Sequence, residues 1–397
     1  MSDSALTSVL VVVLAGMLAP VLAGWVRMPG VVLEILLGVL AGPVVLGWVV
    51  MDVVVDAFAQ FGLAMLLFMA GYEIEFDRIK GRPIRLATIG WFVSLVLGVS
   101  FGLATQGFGI AGQVVGLAVT TTALGTILPM VRDAGALPTP FGGRVLAIGA
   151  LGEFGPIVAM AFVFSEDARK LHTLIPIVLF TLIALVAAVM AARPRHPMLA
   201  QLVTATMGGS GQLAVRLVMF TLVGMLWIAE KFGLDVLLGA FAAGIVVRLA
   251  MEAGSPVEGH VVSAKLDAIG FGFLIPFFFV VSGVKLDLRS LVASPASLLL
   301  IPIFLLLFLL VRGLPTYVLH RRDPALRPGE AKALALFAAA GLPLIVVLTT
   351  AGVEAGAITS GTAAAMVTAG VLSVMLYPLA ALRLYRTPGQ KCEDAVA

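Results

Sequence analysis

Charged residues and cysteine are both scarce in this chain of 397 residues. Only 12% of the residues are charged and 61% are hydrophobic, whereas a soluble domain carries about 25% charged residues. The single cysteine, Cys392, cannot form an intrachain disulfide. The composition is therefore that of a membrane protein.

Residues for enzymatic chemistry are also few. The four histidines all fall in predicted loops or, for His172, at the very start of a predicted span, and the sequence contains no HExxH motif, which disfavours an intramembrane zinc protease. Every aspartate lies at the end of a predicted span or in a loop, which disfavours a protease with two aspartates. We expect no enzyme activity and no cofactor.

Apolar windows of about 20 residues, the length that crosses a hydrocarbon core of about 30 Å, recur along the chain. We predict thirteen membrane spans, near 4–24, 31–50, 57–73, 86–108, 111–131, 143–165, 171–192, 212–230, 233–251, 266–284, 293–318, 332–352 and 359–382. The first of these is too long for the apolar part of a signal peptide and lacks a basic segment before it, so we interpret it as a retained helix.

Basic residues test this segmentation, because short cytoplasmic loops collect Lys and Arg. Of 25 Lys and Arg residues, 19 fall on one side, five fall on the other, and Arg312 lies inside a span. The N-terminus is therefore predicted outside and the C-terminus in the cytoplasm. The net charge of +3 is spread over short loops rather than one stripe, so no nucleic-acid partner is predicted.

The loops between the predicted spans are too short to hold a folded soluble domain. We expect residues 1–397 to form a single transmembrane transporter domain with a short disordered tail at 386–397 and no soluble regulatory domain. Any control by nucleotides would then come from a separate regulatory subunit.

Two stretches suggest an internal repeat. Span three ends in LLFMAGYEIEFDRI (66–79), and span ten ends in FFVVSGVKLDLRSL (278–291). The two spans are an odd number apart, so the copies enter the membrane from opposite sides, as in the inverted repeats of transporters. Spans two and nine match as LLGVLAGPVV (36–45) and LLGAFAAGIVV (237–247). The alternative is that small residues simply allow close packing of helices.

Helix-breaking residues interrupt two corresponding spans. Span five contains VTTTALGTILP (119–129), with Gly125, and span twelve contains AAAGLPLIVVLTTAG (338–352), with Gly341 and Pro343. Matched interruptions in two halves of a transporter point to a substrate site near the midplane. The alternative is that Gly and Pro are generally more frequent in membrane helices.

One carboxylate lies in the middle of an apolar span, in GALGEFGPIVAM (149–160). A charged side chain at the centre of a membrane helix costs about 2.5 to 3.5 kcal/mol on insertion scales. Glu153 could hold a proton or a dehydrated cation, and competition between the two is the minimum machinery for exchange. The alternatives are a fixed ion pair with Arg312 that orders the bundle, and an Arg312 that only extends to the membrane surface.

Several of these segments together resemble a known family. The stretches that carry the likeness are LEILLGVLAGPVVLGWV (33–49), FGLAMLLFMAGYEIEFDRIKG (61–81), VTTTALGTILPMVRDAG (119–135), GLDVLLGAFAAGIVVRL (233–249) and FFFVVSGVKLDL (277–288). They are similar to the successive signatures of the monovalent cation/proton antiporters, in the bacterial branch of Kef-type potassium/proton and NapA-type sodium/proton proteins. The likeness covers the chain from about residue 10 to 385.

The resemblance implies an all-α membrane protein with the sodium/proton antiporter fold. That fold has about thirteen transmembrane helices, inverted repeats, two crossed broken helices, and core and dimerisation sub-bundles. It also implies a homodimer in a bacterial inner membrane, whose core moves like an elevator while exchanging Na⁺ or K⁺ for protons. No metal other than the transported alkali cation is expected.

The resemblance also implies roles for particular residues. Thr121 and Thr122 are expected to bind the ion with Glu153, although their hydroxyls could instead satisfy the backbone of a broken helix. The supporting residues are expected to be Arg312, Thr120, Gly152 and Pro156.

The chain departs from the family at the ion-binding pair. The family's Asp-Asp or Asn-Asp falls on Gly152 and Glu153. A single carboxylate holds one proton or one cation, which favours one-for-one exchange.

Two other functions remain open at this point. One is a proton-coupled transporter of an organic solute on a related fold. The other is a membrane sensor that has lost transport, with Glu153 locked by Arg312.

Overall fold

The computed structural model describes residues 3–26, 28–74, 79–163, 212–252, 256–286 and 295–385, with a few single positions between these ranges. The described residues form helices and no strands, as predicted. The predicted seventh span (171–192) lies largely outside the described residues, and the tail (386–397) lies wholly outside them.

The chain divides into two compact units. The first unit comprises Met1–Ile74 and Ser165–Lys285, and the second comprises Glu75–Phe164 and Leu286–Ala397. The helices described in the first unit are α1 (Asp3–Val26), α2 (Gly30–Ala41), α3 (Val53–Tyr72), α8 (Leu213–Lys231), α9 (Val236–Glu252), α10 (Pro256–Ile269), a π-helical turn (Gly270–Leu274) and α11 (Ile275–Val284). Those described in the second unit are α4 (Arg82–Gln106), α5 (Ile110–Ala118), α6 (Leu124–Asp133), α7 (Pro140–Val163), α12 (Pro295–Phe308), a π-helical turn (Leu309–Gly313), α13 (Leu314–His320), α14 (Glu330–Ala339), α15 (Pro343–Glu354) and α16 (Ser360–Leu384).

The predicted spans other than the seventh each coincide with one of these helices or with consecutive helical segments. In the part of the chain that the structure describes, nine helices are long and apolar enough to cross a membrane. Span two differs from its prediction, because α2 ends at Ala41 instead of continuing to residue 50. Gly42 is extended, with ψ of 174°, since the ring of Pro43 disfavours a helical residue before it.

Four glycines bring helices of the first unit into backbone contact. A Cβ added to any of them would overlap a backbone carbonyl oxygen of another helix: Gly38 on Val280, Gly283 on Ile35, Gly71 on Phe241 and Gly244 on Phe68. The contact of α2 with α11 therefore has the same form as the contact of α9 with α3. This two-fold pattern agrees with the predicted inverted repeat.

The contacts also correct the register that the letters of spans two and nine suggest. Matching LLG with LLG pairs Gly38 with Gly239. In the structure, Gly38 and Gly244 are the equivalent pair. Gly38 packs on Val280, three positions before Gly283 of span ten, and Gly244 packs on Phe68, three positions before Gly71 of span three. Gly239 instead packs against Met225 of α8. The sequence therefore pairs the right two spans, but aligning their LLG letters places the register five residues off.

Close packing by glycine also joins helices in the second unit. Gly98 and Gly102 of α4 lie against Gly116 and Gly112 of α5, so that a Cβ at any of these positions would overlap or crowd the opposing backbone. The predicted breaks are present. Span five is divided into α5 and α6, and span twelve is divided into α14 and α15.

A buried ion pair lies at the end of α13. Arg144 Nη2 is 2.6 Å from Asp323 Oδ2, and both side chains are almost completely buried. Burial acts to raise the pKa of Asp323, but the hydrogen bonds from Arg144 and the Ala325 N–H, together with the positive charges of Arg144 and Arg82, outweigh it, so the pKa lies below its ordinary value of 3.8. The pair therefore stabilises the fold above about pH 4 and less so in stronger acid.

His320, predicted in a loop, is the last residue of α13 and is buried.

Gly71→Ala tests the close contacts of the first unit. The added methyl group overlaps the carbonyl oxygen of Phe241, so we expect the free energy of unfolding to fall by roughly 1–3 kcal/mol. Gly224→Ala in α8 is a matched control, because a Cβ there has no atom within 4 Å and Ala is the better helix former. Thermal unfolding in detergent makes the comparison. A Gly71→Ala protein that melts no lower than the control would contradict the packing.

Candidate functional site

The first helix break spans residues 119–123, between α5 and α6. Thr120 Oγ1 donates a hydrogen bond to Leu117 O at 2.7 Å, and Thr121 Oγ1 donates to Ala118 O at 2.9 Å. The two hydroxyl protons therefore satisfy carbonyl groups at the end of α5, which is the alternative role noted for these threonines. Their oxygens retain lone pairs but cannot turn freely towards an ion.

Thr122 connects the break to three other helices. Its N–H donates to Gly152 O of α7 at 3.0 Å, its hydroxyl donates to Ala338 O of α14 at 2.7 Å, and the same hydroxyl accepts from Arg312 Nε at 2.9 Å. The Gly152 carbonyl is available because Pro156, four residues later in α7, has no N–H to donate to it. Thr122 is thus held at the centre of a hydrogen-bond network.

The second break lies between α14 and α15 and touches the first. Ala340 O accepts a hydrogen bond from Ala123 N at 2.8 Å. A Cβ on Gly341 would lie 2.8 Å from Thr121 Oγ1, so the approach of the two breaks requires glycine there. Pro343 begins α15, where its missing N–H would have no partner within the helix.

Glu153 lies in α7 and is only 3% exposed. Its Oε1 accepts from Gly125 N at 3.3 Å, and the Leu124 N–H is also directed at the carboxylate. These are the first N–H groups of α6, and the start of a helix carries partial positive charge that favours an anion. Glu153 Oε2 is buried without a hydrogen-bond partner. One oxygen is therefore held in place and the other is open to a proton or a cation.

Arg312 lies in the π-helical turn between α12 and α13 and is 1% exposed. Its Nη2 donates to Ile148 O of α7 at 2.7 Å, in addition to the contact with Thr122. The side chain therefore points into the protein rather than to the membrane surface. Among the described residues no carboxylate lies within 4.0 Å of it, so the fixed ion pair with Glu153 is absent from this conformation.

The structure leaves no room for a side chain at position 152, where the sequence has glycine. An added Cβ would overlap Thr122 and would lie 2.8 Å from Arg312 Nη2. The guanidinium group and the threonine thus fill the volume that a longer side chain at this position would need.

The structure adds polar groups that the sequence analysis did not identify. They are the backbone carbonyls of Ile148, Ala338 and Ala340, and the hydroxyl of Ser373 in α16. The carbonyls have no sequence signal, because every residue carries one. Ser373 has a weak signal as a lone polar side chain in GVLSVMLYP (370–378).

Comparisons with known proteins agree with the fold. The family model described as sodium/hydrogen exchanger, transmembrane, matches residues 9–382. The chain is 25% identical to YjbQ of Bacillus subtilis (strain 168), over 98% of this chain and 65% of that protein. It is 23% identical to the glutathione-regulated potassium-efflux system protein KefC of Klebsiella pneumoniae (strain 342), over 85% of this chain and 54% of KefC. The chain therefore spans about two thirds or less of the length of these relatives.

A solved structure matches over nearly the whole chain. The sodium proton antiporter MjNhaP1 from Methanocaldococcus jannaschii, solved at pH 8, superposes with a TM-score of 0.69 over 97% of this chain and 99% of that one, at 18% identity. The match confirms the predicted fold.

A double-mutant cycle tests whether Arg312 and Gly152 share one space. Gly152→Asn alone needs volume that Thr122 and the Arg312 guanidinium hold, so we expect it to destabilise the protein. Combined with Arg312→Gln, it should cost less than the sum of the two single changes, by about 1–3 kcal/mol in the free energy of unfolding. The control cycle pairs Gly152→Asn with Arg144→Gln, whose partners are elsewhere, and should be additive. Additivity in both cycles would refute the shared space.

Proposed function

Because the chain belongs to the sodium/hydrogen exchanger family, we propose that it is a secondary transporter that exchanges a monovalent cation, Na⁺ or K⁺, for protons. The observation that carries this proposal is the buried Glu153, which has one oxygen held by the start of α6 and the other unpartnered. Both cations are retained because MjNhaP1 is described as a sodium proton antiporter and KefC as a potassium-efflux system protein. Family membership places the chain among multi-pass membrane transporters, not enzymes.

Exchange of a cation for a proton follows if the two compete for one group, the Glu153 carboxylate. A protonated Glu153 needs no cation, and an ionised Glu153 deep in the membrane needs a positive partner. Hard oxygen ligands suit an alkali cation, and the lone pairs of Thr121 and Thr122 lie at the same break. We propose that Glu153 carries a proton in one direction and a cation in the other.

Charge balance supports one-for-one exchange. Among the described residues, Glu153 is the only carboxylate that hydrogen-bonds to either break. Arg312 keeps its positive charge throughout the cycle. The site with a protonated Glu153 and the site with an ionised Glu153 plus a monovalent cation then have the same net charge. Each full cycle moves no net charge across the membrane.

The remaining features of the proposal are inherited from the resemblance. We infer an elevator motion that carries the site between the two faces of the membrane, a homodimer, and a bacterial inner membrane with the N-terminus outside. We also propose that residues 1–397 act as one transporter domain. The sensor alternative, in which Arg312 locks Glu153, is not favoured by a structure in which the two do not pair.

Glu153→Gln tests the exchange site. In proteoliposomes with an internal pH dye, we expect added Na⁺ or K⁺ to drive proton movement with the native protein, and the variant to fall to the rate of empty vesicles. Gln keeps the shape of Glu but cannot exchange a proton for a cation. The matched control is Glu330→Gln, which alters a buried carboxylate that caps a loop N–H elsewhere in the same unit.

Two results would count against this proposal. Exchange that survives in Glu153→Gln would remove Glu153 from the site. A native protein that is folded and inserted, and that responds to none of Na⁺, K⁺ and Li⁺, would favour an organic solute or a sensor role.

Electrical recording tests the one-for-one ratio. On a solid-supported membrane, a cation step that produces a clear pH-dye signal in parallel vesicles should give a current no larger than that of Glu153→Gln. A native current several times larger would require a net charge to cross the membrane in each cycle and would contradict the charge balance.

A further inference from the structure

Ser373 occupies a position in the second break that resembles the position of Glu153 in the first. It lies in α16, is completely buried, and is bonded to both backbone groups of Gly341. Gly341 N donates to Ser373 Oγ at 3.2 Å, and Ser373 Oγ lies 3.2 Å from Gly341 O and 2.7 Å from Gly370 O. The hydroxyl thus accepts one hydrogen bond and shares its single proton between two carbonyls, so it has no proton left to donate elsewhere.

The two helices that supply these side chains correspond. Glu153 comes from α7, which follows the first break, and Ser373 comes from α16, which follows the second. Each helix contains a proline shortly after the polar residue, Pro156 in α7 and Pro378 in α16. Each break is therefore contacted by one buried polar side chain from the next membrane-length helix in its half of the chain.

The chemistry of the two positions differs. Glu153 binds its break through one oxygen and leaves the other without a partner. Ser373 cannot ionise in the physiological range, and its one proton is committed to backbone carbonyls. The hydrogen bonding at the first break can thus change when Glu153 takes up a proton or a cation, whereas the hydrogen bonding of Ser373 at the second break stays the same.

A continuous path connects the two side chains. Ser373 holds Gly341, and the preceding residue, Ala340, accepts a hydrogen bond from Ala123 N at 2.8 Å. Ala123 directly precedes the residues whose N–H groups point at Glu153. The alignment of those donors depends on where the second break is held.

We propose that Ser373 is a positioning residue for Glu153. It fixes the second break so that the N–H groups at the start of α6 face the carboxylate. Its role in transport rests on the proposed exchange function. Loss of the hydroxyl weakens the hydrogen bonds to ionised Glu153, so a proton competes better with the cation.

The test compares Ser373→Ala with Ser94→Ala. Ser94 is also completely buried in the same unit, but its hydroxyl bonds only to Gly90 O of its own helix. In proteoliposomes at neutral pH, Ser373→Ala should raise the cation concentration for half-maximal exchange by about three- to tenfold, the effect of one lost hydrogen bond. A higher pH should reverse much of this change. Ser94→Ala should alter neither quantity, and Ser373→Thr, which keeps the hydroxyl, should restore most of the native behaviour.

A second measurement does not depend on transport. Amide hydrogen exchange by mass spectrometry should show faster exchange in Ser373→Ala over residues 338–345 and 121–126, and no such change in Ser94→Ala. If the native protein exchanges no cation for protons, the proposed function fails while this measurement still tests the path. If the native protein does exchange and Ser373→Ala lowers only the maximal rate, with half-saturation and pH profile unchanged, the positioning role is wrong. Unchanged amide exchange at residues 121–126 would also overturn it.

Discussion

A helix that is interrupted inside a membrane exposes backbone groups that no water can satisfy, and this constraint organises the second unit. Thr120 and Thr121 satisfy carbonyls at the end of α5, and Thr122 satisfies one near the end of α14. Glu153 accepts from the start of α6, and Ser373 binds the backbone just before α15. Each of these five side chains therefore bonds to the backbone at or next to a helix end. The groups that capping leaves available to the proposed ion are unused oxygen lone pairs, above all those of Glu153 Oε2.

This constraint explains how much of the site the sequence could predict. Helix breaks usually contain Gly or Pro, and a carboxylate inside a span is rare. Residues such as Gly341 and Glu153 were therefore identifiable from their type and their position within the predicted spans. The partners of Arg312 were not, because Thr122 and Ile148 lie more than 160 positions away along the chain. Their contact depends on helix packing, and two of the important acceptors are backbone carbonyls that any residue would provide.

The sequence predicted which spans of the repeat correspond, but it did not predict the residue register between spans two and nine. The glycine shared by spans three and ten, Gly71 and Gly283, marks a real equivalence of contacts. The register between spans two and nine was misaligned because similar residues surround glycines that have different neighbours. Gly239 faces α8, whereas Gly244 faces α3. A small residue in a membrane helix reports close approach of another backbone, but the sequence does not state which one. Register therefore had to come from the contacts.

The same capping arrangement accounts for a buried arginine and a buried glutamate that do not pair. The start of α6 carries partial positive charge and faces Glu153, while the end of α14 carries partial negative charge and is linked to Arg312 through the Thr122 hydroxyl. Each charge is thus stabilised by a helix end of opposite sign rather than by the other side chain. An ion pair between them would have to be broken whenever Glu153 took up a proton or a cation. With the positive charge held on the carbonyls instead, the proposed exchange of a proton for a cation changes the bonding of Glu153 alone and leaves the hydrogen bonds between the two breaks intact.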